Sequence, residues 1–355
     1  MILVTGGAGF IGSNFIRHYL STTNESIVNI DKVTYAGNLN NLEGIDSSRH
    51  HFSRTDICDR QTTRQLLATH RPTAIVHFAA ESHVDRSIHG PAAFVETNMT
   101  GTFCMLDEAR LYWEQLPKTE KDAFRFLHVS TDEVYGSLSF TDAPFTEESK
   151  YHPNSPYSAS KAGADHLVRA YYHTYGLPTV ISNCSNNYGP RQHPEKLIPI
   201  TIINALNGKP LPLYGDGCNE RNWLFADDHC RALATMLAKG TPGEVYLVGE
   251  TQSRSNKEVM ETICSILDEL RPESAHSPFA SLIASVTDRP GHDLRYDIDA
   301  SKITSELGWT PQLTFEEGIR HTVEWYLNNN EWITAAVAAD HSEWIKAHYG
   351  ERYNA

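Results

Sequence analysis

Two acids stand side by side in STDEVYG, residues 130–136, where an apolar run surfaces at Asp132 and Glu133. Further along, YSASK sets Tyr157 four residues before Lys161. On a helix that spacing leaves the two side chains about 40° apart, so both point one way. A phenol has an ordinary pKa of about 10 and is a poor base at neutral pH. A neighbouring cation favours phenolate, and Tyr157 could then take a proton from a hydroxyl group. The acid pair adds a second capability. Two carboxyls in unlike surroundings can stay one protonated and one ionised, which provides a general acid and a general base. Adjacent residues of a regular strand face opposite ways, so an irregular turn at Asp132 and Glu133 is expected. Spacing alone leaves open which acid does which. The simpler reading, that TDE caps the following segment, gives the second acid no use.

The partner for such a tyrosine is written near the start. TGGAGFIGSN carries Gly7, Gly9 and Gly12 as GxGxxG with Gly6 just before, between an apolar run and an amphipathic one. Glycines permit a tight turn and let backbone N–H groups approach a pyrophosphate at a helix N-terminus, where the dipole favours negative charge. The pattern alone is weak; its placement between strand and helix, with Asp31 ending the next strand, makes it a dinucleotide site. Asp31 should accept hydrogen bonds from the adenine ribose hydroxyls and repel a 2′-phosphate, which selects NAD over NADP. Lys32 could tolerate that phosphate, but a solvated lysine is the preferred reading. Asp56 in TDICD is expected to cap a strand near the adenine. An oxidised nicotinamide then joins Lys161 in favouring a Tyr157 phenolate, and Lys161 also holds the nicotinamide ribose.

These residues need a frame. Short β-branched runs at 2–6, 26–30, 74–80, 124–130 and 179–185 alternate with helical stretches at 10–20, 61–69, 92–115 and 157–175. Apolar strands separated by helices predict an α/β fold, a Rossmann-type doubly wound parallel sheet covered on both faces. After residue 186, Gly and Pro clusters predict a smaller mixed α/β substrate-binding lobe. The expected division is 1–185 for the dinucleotide, with 222–250 returning to the sheet, then 186–325 for the substrate and 326–355 as a helical tail. Residues 265–285 are weakly patterned.

A net charge of -14, with 30 Lys plus Arg against 44 Asp plus Glu, disfavours nucleic acid and anionic membranes as partners. No run reaches the length of a membrane span, and no basic leader opens the chain, so the cytoplasm is expected. Six scattered cysteines without a CxxC pair and 18 histidines without HExxH predict neither a disulfide framework nor a metal.

Together the glycines near residue 6, AAESHVDRS at 79–87, STDEVYG at 130–136 and YSASK at 157–161 resemble an extended short-chain dehydrogenase/reductase. Within that family, PEKLIP, LPLYGDG, RNWLF and DRPGHD are similar to the nucleotide-sugar 4,6-dehydratases, over roughly residues 1–325. Epimerases of the family usually carry small or apolar residues where Asp132 and Glu133 stand. The resemblance implies dTDP-glucose as substrate, with the closest alternatives linked to UDP, CDP or GDP. Oxidation at carbon 4 acidifies the hydrogen at carbon 5; a base removes it while an acid protonates the departing hydroxyl at carbon 6. Hydride returning to carbon 6 leaves a 4-keto-6-deoxy sugar. By the family's pattern Asp132 is the acid, Glu133 the base, and Thr131 bonds the carbon 4 oxygen.

The same resemblance implies further cofactor contacts from Phe10, Ile11, Thr34, Ile57, Ala79, Ala80 and Thr97. It places Asn186, Arg221, Asn256, Arg289 and His292 around the diphosphate and nucleoside, and Ser82 by the sugar. Glu195, Lys196 and Tyr214 are further substrate candidates. Asn222 and Leu294 depart from the family's usual residues. A homodimer through helices 101–116 and 157–175 is also implied.

Overall fold

The structure, a computed structural model, describes residues 1–338 apart from positions 251, 289 and 290. Twelve strands occur among the described residues. In chain order the first six are β1 (Ile2–Thr5), β2 (Ile27–Asp31), β3 (His50–Arg54), β4 (Ala74–His77), β5 (Arg125–Thr131) and β6 (Thr179–Cys184). After them come β7 (Asn186–Tyr188), β8 (Leu211–Tyr214), β9 (Glu220–Phe225), β10 (Val245–Val248), β11 (Ser253–Ser255) and β12 (Ile283–Val286). The main sheet has seven strands in the order β10-β6-β5-β4-β1-β2-β3, all parallel.

The central strands read as continuous apolar runs because both faces are covered. On one face Phe15, Ile16, Val4, Val76 and Met236 are buried; on the other Leu3, Ile75, Met105, Phe126 and Val168. The helix Phe10–Thr22 follows β1, and its Phe15 ring sits 5.2 Å from that of Phe78. β10 pairs with β6, and the helix Ala226–Lys239 packs on Phe10–Thr22, so chain from the second half does return to the sheet. A second core lies outside it, where helices Leu197–Leu206, Asn256–Leu270 and Phe315–Asn328 bury Ile202, Ile263 and Ile319.

Three elements differ from expectation. β3, HHFSR, was not predicted; it is an edge strand with a half-exposed to exposed pattern, so it lacks an apolar run. The helix expected over 92–115 is interrupted: Pro91–Phe94 and Thr102–Glu114 flank a π-helical turn, Val95–Gly101. Such a turn inserts a residue and rotates the side chains that follow. The segment 265–285 begins inside the helix Asn256–Leu270, whose apolar stripe starts earlier, at Val259.

Phe15 is fully buried between helix and sheet. Phe15→Ala should destabilise the protein by about 3–5 kcal/mol through lost burial and a residual cavity, a shift readable in urea unfolding.

Candidate active site

At the carboxyl ends of the strands, a cavity of about 510 Å³ opens beside β1 and β4, where the strand order reverses. Open α/β sheets bind ligands at this point. Its first wall is the glycine loop. Gly6 has φ +72°, and a Cβ there would lie 2.7 Å from the Ala79 nitrogen. A Cβ on Gly12 would come within 2.3 Å of the Gly6 carbonyl oxygen. The loop therefore closes only without side chains, and the helix it starts has no side-chain cap at Gly9. Uncapped first-turn N–H groups remain for an anion.

Asp31, at the end of β2, accepts from the Ala8 N–H (2.8 Å) and the Val33 N–H (2.7 Å) and still borders the cavity. Burial raises its pKa, opposed by those two N–H groups. Lys32 is not merely solvated: its Nζ lies 2.6 Å from the Asp56 carboxylate. Asp56 does not cap a strand, since β3 ends at Arg54; it accepts from the Cys58 N–H in the following turn. Every cofactor candidate lines this cavity: Gly6, Gly9, Phe10, Ile11, Gly12, Asp31, Lys32, Thr34, Asp56, Ile57, Ala79, Ala80, Thr97, Tyr157 and Lys161. Thr97 reaches it from the π-helical turn.

The irregular turn expected at the acids is a 3-10 turn, Asp132–Tyr135, that starts as β5 ends. Its cap is Thr131, whose Oγ1 accepts from the Glu133 N–H at 3.3 Å, so neither acid serves as the cap. Glu133 borders the cavity; Asp132 does not. Asp132 is 1% exposed, and its Oδ2 has no hydrogen-bond partner among the described residues. Burial, then the nearby Glu133 charge, pushes its pKa well above the ordinary aspartate range, and Arg221 opposes this only in part. Burial thus favours the acid form of Asp132.

The helix Pro156–Tyr175 begins with a capping box between Ser155 and Ser158, which fixes Tyr157 and Lys161 in its first turns. Lys161 Nζ donates to the Val129 carbonyl of β5 at 2.8 Å, and burial lowers its pKa. Burial, then Glu133 and Cys184, pushes the Tyr157 phenol well above its ordinary value, with the Thr131 hydroxyl opposing.

The other wall holds Ser82, Asn186, Glu195, Lys196, Tyr214, Asn256 and His292. Glu195 accepts from Arg86 (3.2 Å), with His83 and His193 nearby; Lys196 donates to the Ser82 carbonyl (3.1 Å). Arg221 also lines the cavity, yet its guanidinium donates to the Glu220 and Asp293 carbonyls and lies over the Tyr296 ring. Arg289 falls outside the described residues. Asn222 is buried away from the cavity, clasping Glu250 through both its amide atoms, and Leu294 is exposed.

Two positioning residues escaped the sequence reading. Asn98, in the π-helical turn, accepts from the Glu81 N–H and donates to the Glu81 carbonyl and Ser160 Oγ. It pins the loop after β4 to the tyrosine helix. No pattern marks it, because the π-helical turn breaks the 3.6-residue period. Asp165 lies one turn beyond Lys161 and accepts from Tyr151 and Asn183. Its spacing from Lys161 was the available signal.

A doubly wound sheet with a glycine loop, a Tyr/Lys helix pair and an acid pair at the end of β5 defines an extended short-chain dehydrogenase/reductase. The sequence model of the family described as GDP-mannose 4,6 dehydratase matches residues 3–322. A dTDP-glucose 4,6-dehydratase of Neisseria meningitidis serogroup B is 56% identical, covering 93% of this chain and 94% of the relative. One from Xanthomonas campestris pv. campestris (strain B100) is 58% identical, over 94% and 95%. The solved structure of a dTDP-glucose 4,6-dehydratase from Streptomyces venezuelae, with NAD and TYD bound, superposes with a TM-score of 0.83. It is 46% identical over 93% of this chain and 98% of that one. The UDP-glucose 4-epimerase of Thermotoga maritima gives 0.80 at 26% identity, over 93% and 99%. The chain belongs to the dTDP-glucose 4,6-dehydratase family.

The raised pKa of Asp132 has a stability consequence. The unfolded chain ionises this group above pH of about 4 while the folded chain resists, so its contribution is full below that pH and is lost as pH rises. Asp132→Asn should therefore raise stability at pH 7, and the gain should vanish near pH 4. Thermal melts of both proteins across that range measure it.

Proposed function

We propose that the protein catalyses the NAD-dependent dehydration of dTDP-glucose to dTDP-4-keto-6-deoxyglucose. The observation that carries this reading is the unequal placement of neighbouring acids: Asp132 buried, which favours its acid form, and Glu133 in the cavity beside Tyr157. An epimerase has no use for that pair. NAD, when bound, takes hydride from carbon 4 of the hexose and gives it back at carbon 6. The residues present fit NAD: Asp31 faces the ribose position, and Lys32 is engaged by Asp56, which leaves it a poor counter-ion for a 2′-phosphate.

Tyr157 accepts the proton of the carbon 4 hydroxyl, with the Thr131 hydroxyl beside it. Lys161, anchored on Val129, holds the ribose with its other N–H groups. Glu133 removes the carbon 5 proton and returns it to carbon 5 when hydride reaches carbon 6, and Asp132 protonates the hydroxyl leaving carbon 6 as water. The proton gained by Tyr157 and the one given up by Asp132 balance, so the site is restored by one transfer between them. The substrate wall of Ser82, Asn186, Glu195, Lys196, Tyr214, Asn256 and His292 takes the sugar and the nucleotide. Arg221 lines the same cavity, and its positive charge opposes the upward shift of Asp132. On this reading residues 1–185 with the returning segment hold the cofactor, and 186–325 hold the nucleotide.

A homodimer accompanies this activity. Val95 (50%), Phe103 (38%) and Tyr175 (48%) are exposed apolar residues on or beside the helices Thr102–Glu114 and Pro156–Tyr175, as a four-helix contact requires. Phe103→Asp should shift the protein toward monomer in sedimentation velocity. No helix of the described residues is long and apolar enough to cross a membrane. All six cysteines are free, which suits a reducing cytoplasm.

Incubation with dTDP-glucose bearing deuterium at carbon 4 tests the reading. The expected product is lighter by one water and carries the label in its methyl group; label left in place or lost to solvent would overturn it. Glu133→Gln and Tyr157→Phe should each lower turnover by about 10²–10⁴-fold, with NAD still bound. Both should block carbon 5 proton exchange with heavy water, Tyr157→Phe by preventing the oxidation and Glu133→Gln by removing the base, so only Glu133→Gln should still accumulate reduced cofactor.

A further inference from the structure

The helix Asn330–Ala338 lies outside the proposed chemistry, yet one of its side chains reaches the glycine loop through a single intermediary. Trp332 is 9% exposed and packs between Trp325, at 5.0 Å between ring centroids, and Tyr326, at 6.1 Å. Its indole Nε1 donates to Asn41 Oδ1 at 2.8 Å, across 291 residues of sequence. Asn41 is 2% exposed, and its Nδ2 donates to the Ala8 carbonyl at 2.9 Å. That carbonyl also accepts from the Asn38 N–H, while the N–H of the same peptide unit, on Gly9, donates to Gly6.

The peptide plane between Ala8 and Gly9 is therefore held at both ends, immediately before the helix turn that offers its N–H groups to the cavity. Asn41 also accepts, through its backbone carbonyl, from Arg17 on that same helix. An amide can be flipped; the indole N–H, which is a donor and nothing else, and the Ala8 carbonyl, which is an acceptor and nothing else, together dictate that Asn41 turns its oxygen to Trp332 and its nitrogen to Ala8. We propose that Trp332 is a positioning residue for the cofactor site, setting the orientation of the Asn41 amide and, through it, the glycine loop that binds the NAD pyrophosphate.

The inference rests on NAD occupying the cavity. It is tested with the full-length holoenzyme by measuring the rate at which NAD is lost on dilution, alongside turnover of dTDP-glucose at saturating NAD. Trp332→Phe keeps an aromatic ring between Trp325 and Tyr326 but removes the donor. The expected result is about three- to tenfold faster NAD loss, the scale of one buried hydrogen bond, with turnover at saturating NAD unchanged. Asn41→Asp leaves an acceptor for Trp332 but no donor for Ala8, and should accelerate NAD loss at least as much. In the Asn41→Asp background, Trp332→Phe should then add little, because both act through one path. Unchanged NAD loss in Trp332→Phe, or additive effects in the double variant, overturns the proposal and leaves Trp332 a packing residue. If Trp332→Phe fails to fold, Asn41→Asp alone decides: unchanged NAD loss there overturns the proposal equally. Failure of the unaltered protein to bind NAD would instead sink the functional reading itself.

Discussion

Removal of water from the end of β5 is the constraint on which the site depends. Asp132, Tyr157, Lys161 and Asp165 are each 9% exposed or less, and all of them carry ionisable groups. Burying a charge is tolerated only when it is paired and hydrogen-bonded; otherwise the group neutralises. Both outcomes occur here. Lys161 is anchored on a strand carbonyl and has Asp165 one helical turn away. Burial would raise Asp165, but the contact with His128 and the Lys161 charge outweigh it and hold the carboxyl low. His128 itself is pushed down to about 4 by burial and by Lys161, so it is neutral. For Asp132 the Arg221 charge and the Thr131 hydroxyl do not offset burial and the Glu133 charge, which together favour its acid form.

Two acids adjacent in sequence thus acquire different chemistry from one turn of backbone. The 3-10 turn sets Glu133 on the cavity lining while Asp132 beside it is buried. Their mutual repulsion widens the separation, since an ionised Glu133 makes the ionisation of Asp132 harder still. The destabilisation brought by a buried carboxyl whose Oδ2 has no hydrogen-bond partner among the described residues is the kind of cost that catalytic sites retain.

The cavity walls are held from a distance. The glycine loop rests on Asp31 at one end and on Asn41 at the other. On the substrate side Tyr326 donates to the Gln192 carbonyl, and Gln192 lines the cavity. The helices Phe315–Asn328 and Asn330–Ala338 therefore touch supports of both walls, which couples the second hydrophobic core to the cofactor end of the sheet.

The dinucleotide loop, the alternating strands, the Tyr157/Lys161 pair and the acid pair were legible in the sequence because each depends on local spacing. Glycine at positions 9 and 12 answers contacts with Gly6 and Gly7 a few residues away, though at position 6 the close neighbour is Ala79 beyond β4, and i, i+4 pairing is a property of any helix. The edge strand β3 was not legible, since a half-exposed strand needs no apolar run. Nor were Asn98 and Trp332, whose partners lie 17 to 291 residues away. The division of labour between Asp132 and Glu133 was equally hidden. Sequence determined which groups are present and that they follow one another; only tertiary structure decided which of them lose water, and protonation follows from that loss.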